Sequence, residues 1–259
     1  MAANKTILRN KKVLLVEDNE MNRLLATTVL EHYGVKVDEA FNGAIAVQKI
    51  KENKYDLVLM DVEMPVMDGL EATCLIRKEI GMALPIIALT ASVTTGIGKK
   101  CEESGMNDFL SKPFKEKELV IVMTQWLSKK IKKPIMNKSE KPVSSVYSLD
   151  ALKELSQDND TFLNKMIGLF IQTMPAAILE MEEACQRDDF KSLNKATHKI
   201  KSVLASFNMV SVEEHVIELE HIEPGDSNKT RAKLLIDNLK DTVFAVINDL
   251  KRTELKKTA

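Results

Sequence analysis

Five side chains stand where short apolar runs end. Glu17 and Asp18 follow Val13-Leu14-Leu15-Val16, Asp61 follows Leu57-Val58-Leu59-Met60, Thr90 closes Ile86-Ile87-Ala88-Leu89, and Lys112 follows Phe109-Leu110-Ser111. Asp is almost never buried without a partner, so a carboxylate delivered by an apolar run is poorly explained as core. Carboxylates gathered on one edge repel each other unless a cation lies between them. Glu17, Asp18 and Asp61 form a hard, oxygen-only donor set suited to Mg²⁺ or Mn²⁺. Mg²⁺ usually completes its shell with phosphate oxygens, so this constellation expects a phosphoryl group. Asp61 would be the nucleophile, forming an acyl phosphate. Lys112 and Thr90 would balance the charge on the transferring group. Singly, Asp18 reads as a helix cap, Thr90 as a turn residue and Lys112 as a surface charge. Their joint occurrence at the ends of four runs favours the functional reading.

These residues can meet only if the runs are neighbouring strands. Strand patterns over 13–16, 35–40, 55–60, 85–89 and 107–110 alternate with helical periods over 20–32, 42–50, 69–80, 94–103 and 116–127. Such alternation predicts a doubly wound five-stranded parallel sheet. Right-handed crossovers then put every strand C-terminus on one edge. The 94–103 helix carries Gly96 and Gly98, each about 1 kcal/mol worse than Ala in a helix interior. It reads equally as a readily reshaped switching face and as a short frayed helix.

Residues 129–147 change character, with Lys129, Lys130, Lys132, Lys133, Lys138, Lys141, Pro134, Pro142 and several serines. No apolar period survives, and a solvated linker is expected. The lysines lack interleaved aromatics and an amphipathic pattern, which disfavours a nucleic-acid or membrane surface. From Ser148 to 251 the period is helical throughout, which predicts an antiparallel helical bundle, with 252–259 as a tail. Pro175 is expected to kink or divide the long helix around it. One helix carries the stripe Phe190, Leu193, Ala196/Thr197, Ile200, Val203/Leu204 and Phe207. His198, two residues from Ile200, is expected opposite that stripe and exposed. Lys201 and Ser202 follow at i+3 and i+4 on its face. An exposed imidazole is a suitable phosphoryl acceptor, and Lys201 can offset the charge acquired. On the bundle alone, an inert surface histidine is the simpler reading. His32, His215 and His221 lack comparable neighbours and are assigned structural or surface roles.

Residues 12–128 resemble the receiver domain of two-component response regulators. The resemblance is carried by Leu15-Val16-Glu17-Asp18-Asn19, by Met60-Asp61 through Met64-Pro65 and Asp68-Gly69, by Leu89-Thr90-Ala91, and by Phe109-Leu110-Ser111-Lys112-Pro113-Phe114. It implies a flavodoxin-like fold in which Asp61 accepts phosphoryl from a phosphohistidine. It further implies that Glu17, Asp18, Asp61 and the backbone carbonyl of Glu63 hold the metal, and that Thr90 and Lys112 contact the phosphoryl. Phe109 matches an aromatic switch position, although spacing alone makes it a core residue. The bond before Pro113 is expected cis, and Glu63 and Ser92 match positions that tune phosphoryl lifetime. Residues 148–251 resemble a histidine-containing phosphotransfer (HPt) domain, through Ala196-Thr197-His198-Lys199-Ile200-Lys201. That family commonly has glycine at the places of Ser202 and Asn208. Ser202 is small enough to keep most of the room a docking receiver needs.

Composition narrows the function classes. Formal net charge is −1, with 44% hydrophobic and 29% charged residues, so the chain is not built to neutralise a phosphate polymer. Cys74, Cys101 and Cys185 are far apart and show neither metal spacing nor a disulfide framework. Residues 1–11 form a polar, basic extension without an apolar signal core, and no stretch is expected to reach membrane-span length. A cytoplasmic phosphorelay protein is the expectation. Its partners would be a histidine kinase or HPt phosphodonor and a receiver-domain protein docking on the His198 face. No ATP-binding glycine-rich kinase segment is seen. The alternatives are the C-terminal part of a hybrid sensor kinase, or a Mg²⁺-dependent phosphatase using Asp61 as nucleophile.

Overall fold

The computed structural model describes residues 2–90, 97–128, 146–156 and 160–257. It divides into two compact units, Met1–Ser139 and Glu140–Ala259.

Among the described residues the first unit runs α1 (Ala2–Leu8), β1 (Lys12–Val16), α2 (Glu20–His32), β2 (Lys36–Ala40), α3 (Gly43–Glu52), β3 (Leu57–Asp61), α4 (Gly69–Glu79), β4 (Ile86–Thr90), α5 (Ile97–Ser104), β5 (Asp108–Ser111) and α6 (Glu116–Leu127). The strands pair in parallel in the order β2-β1-β3-β4-β5. The central strands β3 and β4 are buried at every residue, as continuous aliphatic runs covered on both faces must be. The edge strands β2 (Lys-Val-Asp-Glu-Ala) and β5 are more polar and partly exposed, which protects open edges from further pairing. Side-chain caps set the helix starts: Asn19 accepts from the amides of Met21 and Asn22, Asn42 from that of Ile45, and Asp68 from that of Glu71.

Helix α1 had no counterpart in the periodicity. Seven residues are too few to hold a helix alone in water, and α1 packs instead on α6 with Leu8 wholly buried. The expected 94–103 helix is observed as α5, while Ser92 and Gly96 lie outside the described residues.

The second unit contains α7 (Asp150–Ser156), α8 (Asp160–Gln186), α9 (Phe190–Ser206), a 3₁₀ turn (Val210–Val212), α10 (Glu213–Glu220) and α11 (Asp226–Lys257). Helices α8 and α9, α9 and α10, and α10 and α11 pack in succession, and α11 closes back on α8. Phe170 and Phe207, both fully buried, meet in the core with ring centroids 4.2 Å apart. Pro175 does not divide α8. Its ring disturbs only the preceding turn, and Met174 and Ile178 on either side are buried in the bundle. Contrary to the expectation from sequence, α8 is long and apolar enough, by length and composition alone, to cross a membrane. Its inward side chains, among them Phe162, Met166, Phe170, Met174, Ile178 and Met181, are buried in the bundle, while Leu179 is 54% exposed. Asn208, after α9, has φ of +52°. Glycine fits that left-handed region without strain, and Asn tolerates it better than most residues.

Candidate functional site

The sheet order brings β1 and β3 side by side, with Val16 paired to Met60. Glu17 and Asp18 therefore leave the sheet beside Asp61. One oxygen each from Glu17, Asp18 and Asp61 lies within 4.8 Å of the others. β4 pairs with β3 and β5 with β4, which carries Thr90 and Lys112 to the same edge. Lys112 Nζ donates to Asp61 Oδ2 at 2.8 Å and to Glu17 Oε2 at 3.0 Å. Asp61, Glu17 and Lys112 are almost completely buried, and so is Thr90. The Glu63 amide donates to Asp61 Oδ1 at 3.3 Å. The Glu63 side chain is exposed, Phe109 is half-buried with its ring 3.6 Å from the space beside Gly98, and the Lys112–Pro113 bond is cis.

Gly69 makes this packing possible. A Cβ there would lie 2.0 Å from the Asp61 carbonyl oxygen. The Gly69 amide donates to the Val62 carbonyl at 2.9 Å, so the loop after β3 folds directly back beneath Asp61.

Electrostatics explain why these groups need company. Burial pushes the Asp61 carboxyl up, the charge on Glu17 adds to this, Lys112 opposes it, and Asp18 adds further, for a net rise. Burial alone would lower Lys112, but Glu17 and Asp61 beside it outweigh burial and hold the ammonium charged. One ammonium against three carboxylates leaves the cluster negative. The all-oxygen donors and their mutual distances fit a small hard dication.

In the second unit, His198 Nδ1 lies 2.6 Å from Glu220 Oε1, and Lys201 Nζ lies 2.5 Å from Glu220 Oε2. Glu220 comes from α10 and reaches across to α9. Burial raises its carboxyl, but hydrogen bonds from His198 and then Lys201 outweigh this and bring it down to about 2. A carboxylate only accepts, so the shared proton sits on Nδ1, and in the neutral ring Nε2 then carries the lone pair. The expectation that His198 is exposed needs correction: its side chain is 15% exposed. His198 does point away from its own helix's stripe, but α10 packs on that side and its Glu220 covers the ring. Ser202 is buried and Lys201 half-buried.

Three residues escaped the sequence reading. Asn22 Nδ2 donates to Glu17 Oε1 at 3.0 Å, and Arg23 Nη1 donates to the Glu17 carbonyl at 2.9 Å. Asn22 had a usable signal, since it lies one turn after the cap Asn19 and faces back toward the acidic pair. Glu220 had none, because it is 22 residues from His198 on another helix.

Comparisons with known proteins agree with both units. The family model described as the response regulator receiver domain matches residues 13–124, and the one described as the Hpt domain matches residues 165–248. Hybrid signal transduction histidine kinase M of Dictyostelium discoideum is 49% identical over 107 residues, which are 39% of this chain and 4% of that protein. Sensor protein GacS of Pseudomonas syringae pv. syringae is 40% identical over 130 residues, 49% of this chain and 14% of that protein. The chain thus spans only a small part of the length of these relatives. Among solved structures, the receiver domain of a sensor histidine kinase from Pseudomonas aeruginosa PAO1, with a magnesium ion coordinated in its active site cleft, is 41% identical. It covers 46% of this chain and 98% of that one, with a TM-score of 0.44. The receiver-domain co-crystal of Saccharomyces cerevisiae Ypd1 with Ssk1 is 33% identical, covering 46% of this chain and 90% of that one, with a TM-score of 0.44. With one matched domain in each compact unit, the chain carries a response regulator receiver domain followed by an Hpt domain.

Proposed function

We propose that Asp61 accepts a phosphoryl group from a phosphohistidine and that His198 carries phosphoryl to or from a receiver aspartate. The observation that carries the first half is Lys112 Nζ bridging Asp61 and Glu17 inside a cluster of three buried or half-buried carboxylates. An Asp61 oxygen attacks phosphorus, the donor's N–P bond breaks, and an O–P bond forms. Glu17, Asp18, Asp61 and the Glu63 carbonyl would hold Mg²⁺, which when bound neutralises charge on the phosphoryl oxygens. Once Asp61 is phosphorylated, the Lys112 ammonium can turn toward the new phosphoryl oxygens, and the Thr90 hydroxyl stands on the same edge. Phe109, on the neighbouring strand, is the residue through which the change would reach α5.

At His198 the chemistry is simpler. Glu220 orients the ring through Nδ1, which makes Nε2 the attacking atom, and it stabilises the positive charge the ring gains as N–P forms and the donor aspartate's O–P bond breaks. The partners would be a histidine kinase or Hpt protein as donor and a receiver-domain protein at the His198 face. The dispersed free cysteines support a reducing, cytoplasmic setting. A second reading, that the chain is part of a hybrid sensor kinase, draws support from the histidine kinases it matches over 4% and 14% of their lengths. The genomic reading frame upstream of Met1 tests it.

The experiment is phosphotransfer profiling of wild type, Asp61→Asn and His198→Gln against candidate kinases and receivers, with acetyl phosphate plus Mg²⁺ as a direct label. Asp61→Asn should remove the base-labile signal, and His198→Gln should block transfer through the bundle. Unchanged labelling of Asp61→Asn would overturn the assignment.

A further inference from the structure

We propose that Arg23 is a positioning residue for the acidic pair at the end of β1, and that it sets the affinity of the receiver site for its divalent cation. The inference rests on the reading that Glu17, Asp18 and Asp61 hold that cation. Arg23 lies in the first turn of α2, its amide bonded to the Asn19 carbonyl at 2.9 Å. Its side chain is only 13% exposed, so it is not a solvated surface charge. Nη1 donates to two successive carbonyls, Glu17 at 2.9 Å and Asp18 at 3.3 Å. Nε faces Glu39 Oε2 at 3.3 Å, and the guanidinium carbon lies 4.5 Å from the centroid of the Phe41 ring. Thr27 Oγ1 donates to the other Glu39 oxygen at 2.9 Å and so fixes that carboxylate. A planar fork clamped by β2 and the following loop thus grips the main chain of both acidic residues.

Fixing two successive peptide planes fixes the directions in which the Glu17 and Asp18 side chains leave the chain. Asn22 completes the arrangement. Glu17 Oε1 accepts from Asn22 Nδ2 and from the Asn19 amide, while Oε2 accepts from Lys112. Positioning and charge make opposite predictions here. As a bare cation near the site, Arg23 would repel Mg²⁺, and its removal would tighten binding. As a clamp it preorganises the donors, and its removal would weaken binding. Its charge is already met by Glu39, which leaves positioning as the larger effect. Lysine keeps the charge but cannot span two carbonyls and Glu39.

The test is calorimetric titration of Mg²⁺ into the full chain, for wild type, Arg23→Gln, Arg23→Lys and Asp18→Asn. Folding of each variant is checked by urea melts without Mg²⁺. Outer partners of metal ligands are worth about 10-fold or more in metal affinity. Arg23→Gln should therefore weaken Mg²⁺ binding about 10-fold, and Arg23→Lys should weaken it too. Acetyl phosphate labelling of Asp61 should need correspondingly more Mg²⁺ to half-saturate, yet reach the wild-type rate at saturation. Mg²⁺ binding as tight as wild type, or tighter, in either folded variant would overturn the proposal. If Arg23→Gln does not fold, Arg23→Lys decides. A wild-type Mg²⁺ signal that Asp18→Asn leaves intact would instead defeat the metal reading beneath it.

Discussion

Replacing Glu220 with glutamine separates two things the carboxylate does for His198. Gln keeps an oxygen that can accept from Nδ1 but loses the charge that meets both the imidazole and Lys201. A hydrogen bond to a charged partner is worth about 1.5–3 kcal/mol, against about 1 kcal/mol for a neutral one. The difference, roughly 1–2 kcal/mol, is expressed where the ring gains positive charge, in the transition state. Transfer to His198 should slow by roughly 5- to 30-fold. The assay is rapid-quench transfer from a phosphorylated receiver, in an Asp61→Asn background so that His198 is the acceptor under study. Transfer within twofold of the Glu220 protein would refute the assignment of Glu220 as the group that orients and charges His198. The same substitution has a pH signature. Glu220 is lowered from 4.5 to about 2 on folding. Its contribution to stability is fully present above the unfolded-state value, near 4.5, and is lost as pH falls through the folded one. The ceiling is about 3 kcal/mol. Between pH 5 and 2, Glu220→Gln should lose less bundle stability than wild type. The lone Trp126 lies in the receiver unit, so fluorescence follows that unit separately while far-UV circular dichroism follows both.

Removing Lys112 leaves Glu17 and Asp61 buried without their shared cation. Lys112→Met should cost the receiver unit about 3 kcal/mol without Mg²⁺, and Mg²⁺ should stabilise the variant more than wild type. Urea melts followed at Trp126 check this, and an unchanged midpoint without Mg²⁺ counts against the buried bridge. At Gly69 the backbone leaves no room: Gly69→Ala should destabilise the receiver by about 3 kcal/mol or more and abolish Asp61 labelling, because a Cβ 2.0 Å from the Asp61 carbonyl must displace it. Gly168→Ala is the matched control. Nothing lies within 4 Å of its Cβ, and the helix should gain up to about 1 kcal/mol. A destabilised Gly168→Ala would count against steric room as the basis of the Gly69 prediction.

What the sequence determined by itself was the receiver's frame. Runs of strand length, four of them closed by a polar residue and each followed by a helical period, allow few topologies. A parallel sheet covered on both faces must send Glu17, Asp18, Asp61, Thr90 and Lys112 to one edge. Periodicity likewise put His198 off its helix's apolar stripe, because side-chain direction on one helix depends only on local spacing. What required tertiary structure was everything contributed by a second element. Helix α1 forms because Leu8 finds α6, α8 stays continuous through Pro175 because the bundle holds both of its halves, and only its inward stripe is covered by its partner helices. Arg23 is an unremarkable helical residue until Glu39 and Phe41 close on it. His198 is mostly covered because Glu220, 22 residues away, crosses to meet it. The reason is the same in each case: local pattern encodes which way a side chain leaves the backbone, whereas its partner, its burial and the charge it feels depend on chain segments that meet only after folding.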